Sequence, residues 1–349
     1  MVKSEDQEEA YHKFVKWMAT KSSQEFRLGG LAGTGKTTMV RRFREKMGDC
    51  EVITPTAKAA EVLTKKGVPA STVHSLFYRF QREEIDENGK SKPIFIEKKT
   101  DVDFLIVDEA SMITEKMRNQ ILRYSNRVVW VGDYGQLPPV ETDAEAGLSG
   151  VLKEDNLDAK LTNIHRTGDA SILDFAGFLR GGGNPLEFKS DSDSVRVSKL
   201  IQSPDDLAND LAKSGEWPVI CATNSAVGKM NEAFRRVFGI TKPLQSGLKI
   251  VCTKNNFVHK ICNGQMFTVK YVQYSTIETE CGRSFPVSFT KANNKSIVEI
   301  ADGFAITCHK AQGSEWPNIA VIEDIHSIPQ WRYTAATRVQ NRILYFARG

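Results

Sequence analysis

Gly30-Leu31-Ala32-Gly33-Thr34-Gly35-Lys36-Thr37 fits the spacing G-x-x-x-x-G-K-[ST], a loop that wraps the phosphates of a nucleotide. Gly33 and Gly35 let backbone N–H groups turn in on phosphate oxygens, and the dipole of the helix that follows adds positive field there. The expected cradle is Gly33, Thr34, Gly35, Lys36, Thr37 and Thr38, with Lys36 reaching the β- and γ-phosphates and the Thr37 hydroxyl ligating Mg²⁺. A nucleoside triphosphate is the ligand implied. Further on, Phe104-Leu105-Ile106-Val107-Asp108-Glu109 ends an apolar run in two carboxylates. Alone, that pair reads as a strand end and a cap. Downstream of a phosphate loop it reads as catalytic, with Asp108 binding Mg²⁺ directly or through water and Glu109 polarising the attacking water.

These groups need elements to hold them. Glu25 to Leu28 reads as a strand entering the loop and Thr38 to Lys46 as a helix leaving it. Before them, Gln7 to Thr20 carries Ala10, Phe14, Trp17 and Met18 on one helical face. Glu51-Val52-Ile53 is a short strand running into Thr54-Pro55-Thr56-Ala57-Lys58. There Thr56 either caps a helix or, with Lys58, donates to phosphates. Thr72 and His74 sit before a helix in the same way. Residues 78–100 break the pattern, since Glu87-Asn88-Gly89-Lys90 between two β-prone segments signals a hairpin. Val128 to Asp133 is another buried strand, feeding the loop Tyr134-Gly135-Gln136-Leu137-Pro138-Pro139-Val140, with Gln136 set to sense a phosphate.

A second set of apolar strands follows at 219–222, 305–308, 319–322 and 343–346, with a helix at 225–238. Between them, 249–253, 265–272 and 284–289 read as short strands separated by Gly and Asn turns, a small β-barrel inserted into an α/β domain. At 349 residues the chain has room for two domains, each with a core. A net charge of +4 permits nucleic acid without requiring it. The six cysteines form no C-x-x-C pair, so reduced thiols are expected and zinc is not. No apolar run approaches a membrane span, and the polar, acidic start argues against a signal peptide, so a cytoplasmic protein is expected.

The order of motifs resembles the superfamily 1 DNA helicases of the 5′→3′ branch, the RecD-like and phage Dda-like enzymes. The matching stretches are the phosphate loop, Thr54-Pro55-Thr56-Ala57-Lys58-Ala59-Ala60, Asp108-Glu109-Ala110-Ser111, Gly132 to Pro139, Ile306 to Glu315 and Tyr333 to Arg338. The resemblance implies an α/β fold of two RecA-like P-loop domains, with a β-hairpin insertion and an SH3-like β-barrel insertion. The implied boundaries are 1–165 for the first domain with its hairpin at 78–100, 166–243 and 301–349 for the second, and 244–300 for the barrel. It implies ATP and Mg²⁺ as cofactors, with Gln7 on adenine, Gly313 in the nucleotide-binding set, Glu315 near the ribose, and Arg166 and Arg338 as arginine fingers on the γ-phosphate. Pro55, Thr56, Lys58, Thr72, His74, Pro138, Pro139, Thr307, His309 and Lys310 would face DNA, and Phe95 of the hairpin would meet the fork. Single-stranded DNA and forks are the implied partners of a chain active as a monomer, beside replication or recombination proteins. One departure stands out: Ala57 lies where relatives commonly carry Gly. The alternatives are a DNA-stimulated ATPase that remodels nucleoprotein and a non-catalytic nucleotide-binding subunit of a nuclease complex.

Overall fold

Strands buried on both faces need near-continuous apolar runs, and the helices covering them need one apolar stripe each. The first half of the chain meets both demands. In the computed structural model its strands are β1 Glu25–Gly30, β2 Glu51–Thr54, β3 Ser71–Thr72, β4 Tyr78–Ile85, β5 Ser91–Glu97, β6 Val102–Val107, β7 Ser125–Gly132 and β8 Ala159–Leu161. Its helices are α1 Glu5–Thr20, α2 Lys36–Met47, α3 Ala57–Lys65, α4 Val73–Phe77 and α5 Glu115–Tyr124. The structure describes residues 4–20, 23–85, 91–98, 100–138, 151–163, 170–215, 217–292, 294–325 and 327–348. For 80, 82–85, 91–93 and 95 the backbone alone is described. The chain divides into two units, 1–167 and 168–349.

In the first unit six strands form a parallel sheet in the order β3-β2-β6-β7-β1-β8. Successive residues of β7 point to opposite faces. Val129 and Val131 join a core under α1 and α2, while Val128 and Trp130 join one under α4 and α5. In the first core Phe14 of α1 stacks on Phe43 of α2 at 4.0 Å, and Phe26 of β1 meets both rings edge-on. Such ring pairs add roughly 0.5–1.5 kcal/mol each beyond the area they bury. They tie the helix after the phosphate loop to the strand before it.

Outside the sheet, β4 and β5 pair antiparallel as the expected hairpin, with an irregularity between Phe80 and Arg82. Its base is fastened. The Tyr78 hydroxyl donates to Gln120 at 2.7 Å, the Tyr124 hydroxyl to Glu97 at 2.8 Å, and Lys98 Nζ to the Ser75 carbonyl at 2.6 Å.

The second unit contains α6 Ala170–Arg180, β9 Val195–Lys199, α7 Pro204–Ser214, β10 Val219–Cys221 and α8 Asn224–Val237. Barrel strands β11 Lys249–Cys252, β12 Met266–Gln273, β13 Thr276–Thr279, β14 Ser284–Ser288 and β15 Val298–Asp302 come next. They are followed by β16 Ala305–Thr307, α9 Cys308–Ala311, β17 Trp316–Ile322, α10 Pro329–Ala336 and β18 Val339–Ala347. Five strands make a parallel sheet in the order β16-β10-β17-β18-β9, and β11 to β15 close into a barrel.

The sequence signalled three barrel strands, and the structure has five. β13 and β15 escaped notice because each alternates, burying only Ile277 and Thr279, or Val298 and Ile300, and so lacks an apolar run. The last barrel strand also runs to Asp302, past residue 300. Barrel and sheet share one core, in which Ile250, Phe267 and Phe285 are continuous with Val219, Phe234 and Ala305. At Gly303 a Cβ would lie 2.6 Å from the Ile250 carbonyl carbon, so only glycine lets β15 turn past β11 into β16.

Candidate nucleotide site and DNA-facing surfaces

The phosphate loop leaves the carboxyl end of β1, where ligands of open α/β sheets bind. Gly33 and Gly35 sit at φ 81° and 86°, the left-handed region that glycine enters freely. Gly30 is required for space, since a Cβ there would approach Thr34 Oγ1 to 2.6 Å. Lys36 is the first residue of α2, and its ammonium folds back to donate to the carbonyls of Gly30 and Leu31, both at 2.9 Å. That posture holds the cation over the loop. Thr37 and Thr38 follow it in the same first turn, half-buried.

Gln7 is buried and donates to the Thr34 carbonyl at 3.3 Å, so α1 braces the loop through the residue expected at adenine. Its neighbour Asp6 accepts from the amides of Thr162 and Asn163, both at 2.8 Å. Burial opposes its charge, but these bonds and the Ser4 hydroxyl hold the carboxyl below its ordinary range. Asp6 was not singled out from sequence. An acid in the first turn of a helix is usually a dipole partner, and nothing local revealed that it grips β8's exit.

Asp108 lies immediately after β6, buried. Burial first, then the neighbouring Glu109 carboxylate, pushes it up to about 7, while Lys36 pulls the other way. A buried carboxylate beside a second one is a site that favours a cation. Hydroxyl and carboxylate oxygens are the hard donors Mg²⁺ takes, so Thr37 and Asp108 fit that ion. Glu109 is held at φ 54°, ψ 39°, outside both strand and helix. A non-glycine residue there costs about 1–2 kcal/mol, the kind of strain found at functional positions.

Beyond β7, Asp133 is wholly buried and accepts from the Gly135 amide at 2.9 Å and from Gln136 Nε2 at 3.2 Å. Gln136 is thereby fixed at the carboxyl end of the sheet, and Asp133 is its positioning residue. The motif containing Asp133 was legible in the sequence, but its role was not. Pro138 is half-buried. Pro139 and Arg166 lie outside the described residues, as does the side chain of Phe95.

At the β3–β2 edge of this sheet the threonines cap helices. Thr56 accepts from the Ala59 amide and Thr72 from the Ser75 amide, with Ser75 returning the bond to the Thr72 amide. For Thr56, capping and phosphate donation are compatible, because a hydroxyl that accepts an amide still carries its own proton, whereas the Thr72 hydroxyl donates to Ser75 Oγ at 3.0 Å. Pro55 and Lys58 are half-buried, and exposed His74 stacks on Tyr78 at 5.5 Å.

The second unit repeats the device at its own β16–β10 edge, where Thr307 caps α9 by accepting from the Lys310 amide. Desolvation by burial lowers the pKa of His309, disfavouring its charged form. Lys310 is exposed. Gly313 turns at φ 73°, and exposed Glu315 accepts from Gln340. Arg338, after α10, is 5% exposed; its Nε donates to the Thr334 carbonyl at 3.0 Å and an Nη donates to the Thr337 hydroxyl at 2.9 Å. Its own helical turn therefore fixes the guanidinium plane.

A glycine-rich loop with Lys36 folded over it, beside a buried Asp108 and a half-buried Glu109 at the carboxyl end of a parallel strand, defines the class of P-loop nucleotide hydrolases. The family profile described as AAA domain matches residues 3–200, and one described as UvrD-like helicase C-terminal domain matches 302–343. The chain belongs to the AAA domain family. Among curated proteins it is similar to the ATP-dependent RecD2 DNA helicase of Deinococcus radiodurans, 27% identical over 92% of this chain and 46% of that one. It is also similar to the RecBCD enzyme subunit RecD of Buchnera aphidicola, 23% identical over 91% of this chain and 69% of that one. The chain thus spans about half the length of the first. In fold it is similar to the Pif1 helicase from Bacteroides in complex with ADP-AlF3 and single-stranded DNA, with a TM-score of 0.62 and 21% identity over 99% and 92% of the two chains.

Proposed function

We propose that this chain is an ATP-dependent DNA helicase of the RecD-like branch, moving 5′→3′ on single-stranded DNA and separating duplex at a fork. The observation that carries the reading is the pairing of Lys36 on its loop with a buried Asp108 and a strained Glu109. A domain that only bound nucleotide would have no use for a carboxylate held in a costly conformation. In this reading Lys36 binds the β- and γ-phosphates, Thr37 and Asp108 hold Mg²⁺, and Glu109 orients and deprotonates the attacking water. Mg²⁺, when bound, neutralises charge on the phosphates. Asp133 and Gln136 report the state of the γ-phosphate to the Pro138 loop. Arg338, and Arg166 with it, stabilise the transferring group.

The capped edges carry the DNA. Thr56, Lys58, Thr72 and His74 serve the first unit, and Thr307, His309 and Lys310 the second, through hydroxyl, amide and ammonium donors suited to phosphates. The β4–β5 hairpin is the strand-splitting pin, and the closed barrel of β11 to β15 is the SH3-like accessory element. The domains follow as 1–165 with the hairpin inserted, 166–243 with the chain after the barrel, and a barrel that begins at 244 and takes in all of β15 to Asp302. Among the described residues no helix is long and apolar enough to cross a membrane.

The test measures ATP hydrolysis with and without single-stranded DNA, then unwinding of a fork with a 5′ tail. Hydrolysis should rise with DNA and strands should separate. Stimulated hydrolysis without separation would make the chain a translocase that remodels nucleoprotein, and hydrolysis indifferent to DNA would remove the helicase reading.

A further inference from the structure

Gly228 stands in the middle of α8, where glycine weakens a helix relative to any residue with a side chain. Its backbone is not left-handed, and a Cβ built there meets no heavy atom within 4 Å. Neither packing nor conformation calls for glycine at this position. What the missing side chain leaves is space, a cavity of about 330 Å³ between α8, the end of β16 with α9, and barrel strands β11 and β15. Its lining follows β16 from Ala305 to Thr307, the strand's carboxyl end, and reaches Asn224 at the start of α8.

The chemistry of its walls is divided. Asn224, the first residue of α8, shares the lining with Thr307 and Lys310, which supply hydroxyl and ammonium donors. Val227 and Ile306 provide apolar wall, with Gly228 between. Two carboxylates also line it. Asp302 is held through both oxygens by Arg235, and exposed Glu232 lies one helical turn beyond Gly228, away from the amino end of α8. A volume near 330 Å³ is at the small end of ligand pockets and suits a single nucleotide unit. A phosphate alone would need the donors but not the apolar wall.

We infer that this cavity is a single-nucleotide subsite for DNA, taking a phosphate on Asn224, Thr307 and Lys310 and laying the attached base over Gly228 against Val227 and Ile306. The inference rests on the helicase reading and adds to it a base-occupied position and two residues, Asn224 and Gly228. Beside that apolar face the Asn231 amide is engaged by the backbone of Asp302 and Ala305, and the Asp302 carboxylate by Arg235, so neither reads a base edge and any base is accepted.

The experiment uses the full chain and fluorescence anisotropy with a short oligothymidylate and an abasic oligonucleotide of equal length. Gly228→Leu fills the space. It should weaken oligothymidylate binding about tenfold, leave abasic binding unchanged, and melt no lower than the parent. Gly228→Ala, which leaves most of the space open, should bind like the parent. Asn224→Asp, on the exposed rim, should weaken both oligonucleotides alike by opposing the phosphate; it tests the site without filling the helix. Unchanged oligothymidylate binding by Gly228→Leu, or equal loss for both oligonucleotides, overturns the subsite while leaving the helicase reading intact. Absence of any DNA binding by the parent chain overturns both.

Discussion

Glu109 and Arg338 are the residues at which local geometry and chemistry meet most closely. Glu109 is held in left-handed backbone by the turn after β6, so its carboxylate is delivered by strain and not by a regular element. Glu109→Gln keeps shape and removes the base. Nucleotide affinity should be retained while turnover falls by about 10²–10⁴, the usual worth of a general base. Wild-type turnover would take Glu109 out of the reaction. Arg338 is locked by the Thr334 carbonyl and the Thr337 hydroxyl. Arg338→Ala should therefore cut DNA-stimulated turnover far more than nucleotide affinity, the pattern of an interaction made in the transition state. An equal effect on both would mean it binds ground-state nucleotide. Both carboxylates of the Asp-Glu pair were readable from sequence. The strain at Glu109, the Asp133 tether on Gln136 and the Asp6 grip on Thr162 were not, since each depends on backbone angles or on partners the sequence leaves unspecified.

The elements that place these residues are stiffened by polar networks at their ends. Glu25, opening β1, receives two bonds from Arg118 of α5 at 3.0 and 2.7 Å, one from Trp130 of β7 at 2.9 Å, and an ion pair with Arg27. Burial raises its pKa, but the Arg118 bonds and the adjoining charges outweigh it, leaving the carboxyl below its ordinary 4.5. A depressed folded-state pKa contributes stability that is present above the unfolded value and lost as pH falls through the folded one. Glu25→Gln should therefore melt below wild type at neutral pH, with the gap closing as pH drops below about 4.5; a gap independent of pH would mean the loss is packing. The hairpin is the other element with a separable role. Its base bonds to α4 and α5 involve Tyr78, Glu97 and Lys98. Replacing residues 84–96 by a two-residue turn spares them while removing Phe95. DNA-stimulated hydrolysis should survive and fork unwinding should fall sharply. Equal loss of both activities would make the hairpin structural.

Across the whole molecule, a net charge of +4 spread over 349 residues cannot supply a strong basic field. The DNA-facing groups proposed are mostly hydroxyls and amides, which release no counterions when they meet phosphate. With Lys58 and Lys310 as the two cationic contacts, the slope of log affinity against log salt should be about −1.4, from about −0.7 per phosphate neutralised on a single strand. Binding should also be nearly blind to sequence. A slope steeper than about −4 would mean that further lysines, such as those on the barrel, join the interface. A marked preference for one oligonucleotide would mean base edges are read.

What the chain determined without its tertiary structure was the chemistry and the class of fold. The loop from Gly30 to Thr37, the Asp108-Glu109 strand end and the hairpin signal at Asn88-Gly89 are short-range patterns, and apolar runs such as Val128 to Val131 declare strands buried on both sides. Boundaries shifted by a residue or two, as with α2, which begins at Lys36 and not at Thr38. Only the tertiary structure decided the strand order, the closure of the barrel by β13 and β15, and its merging with the sheet into one core. Those outcomes rest on pairings between distant segments whose own composition is unremarkable: alternation in Thr276–Thr279 looks like any polar turn until β12 and β14 flank it. The space over Gly228 belongs to the same kind. A glycine in a helix states what is absent from one residue, and only the surrounding β16, β11 and β15 turn that absence into a cavity.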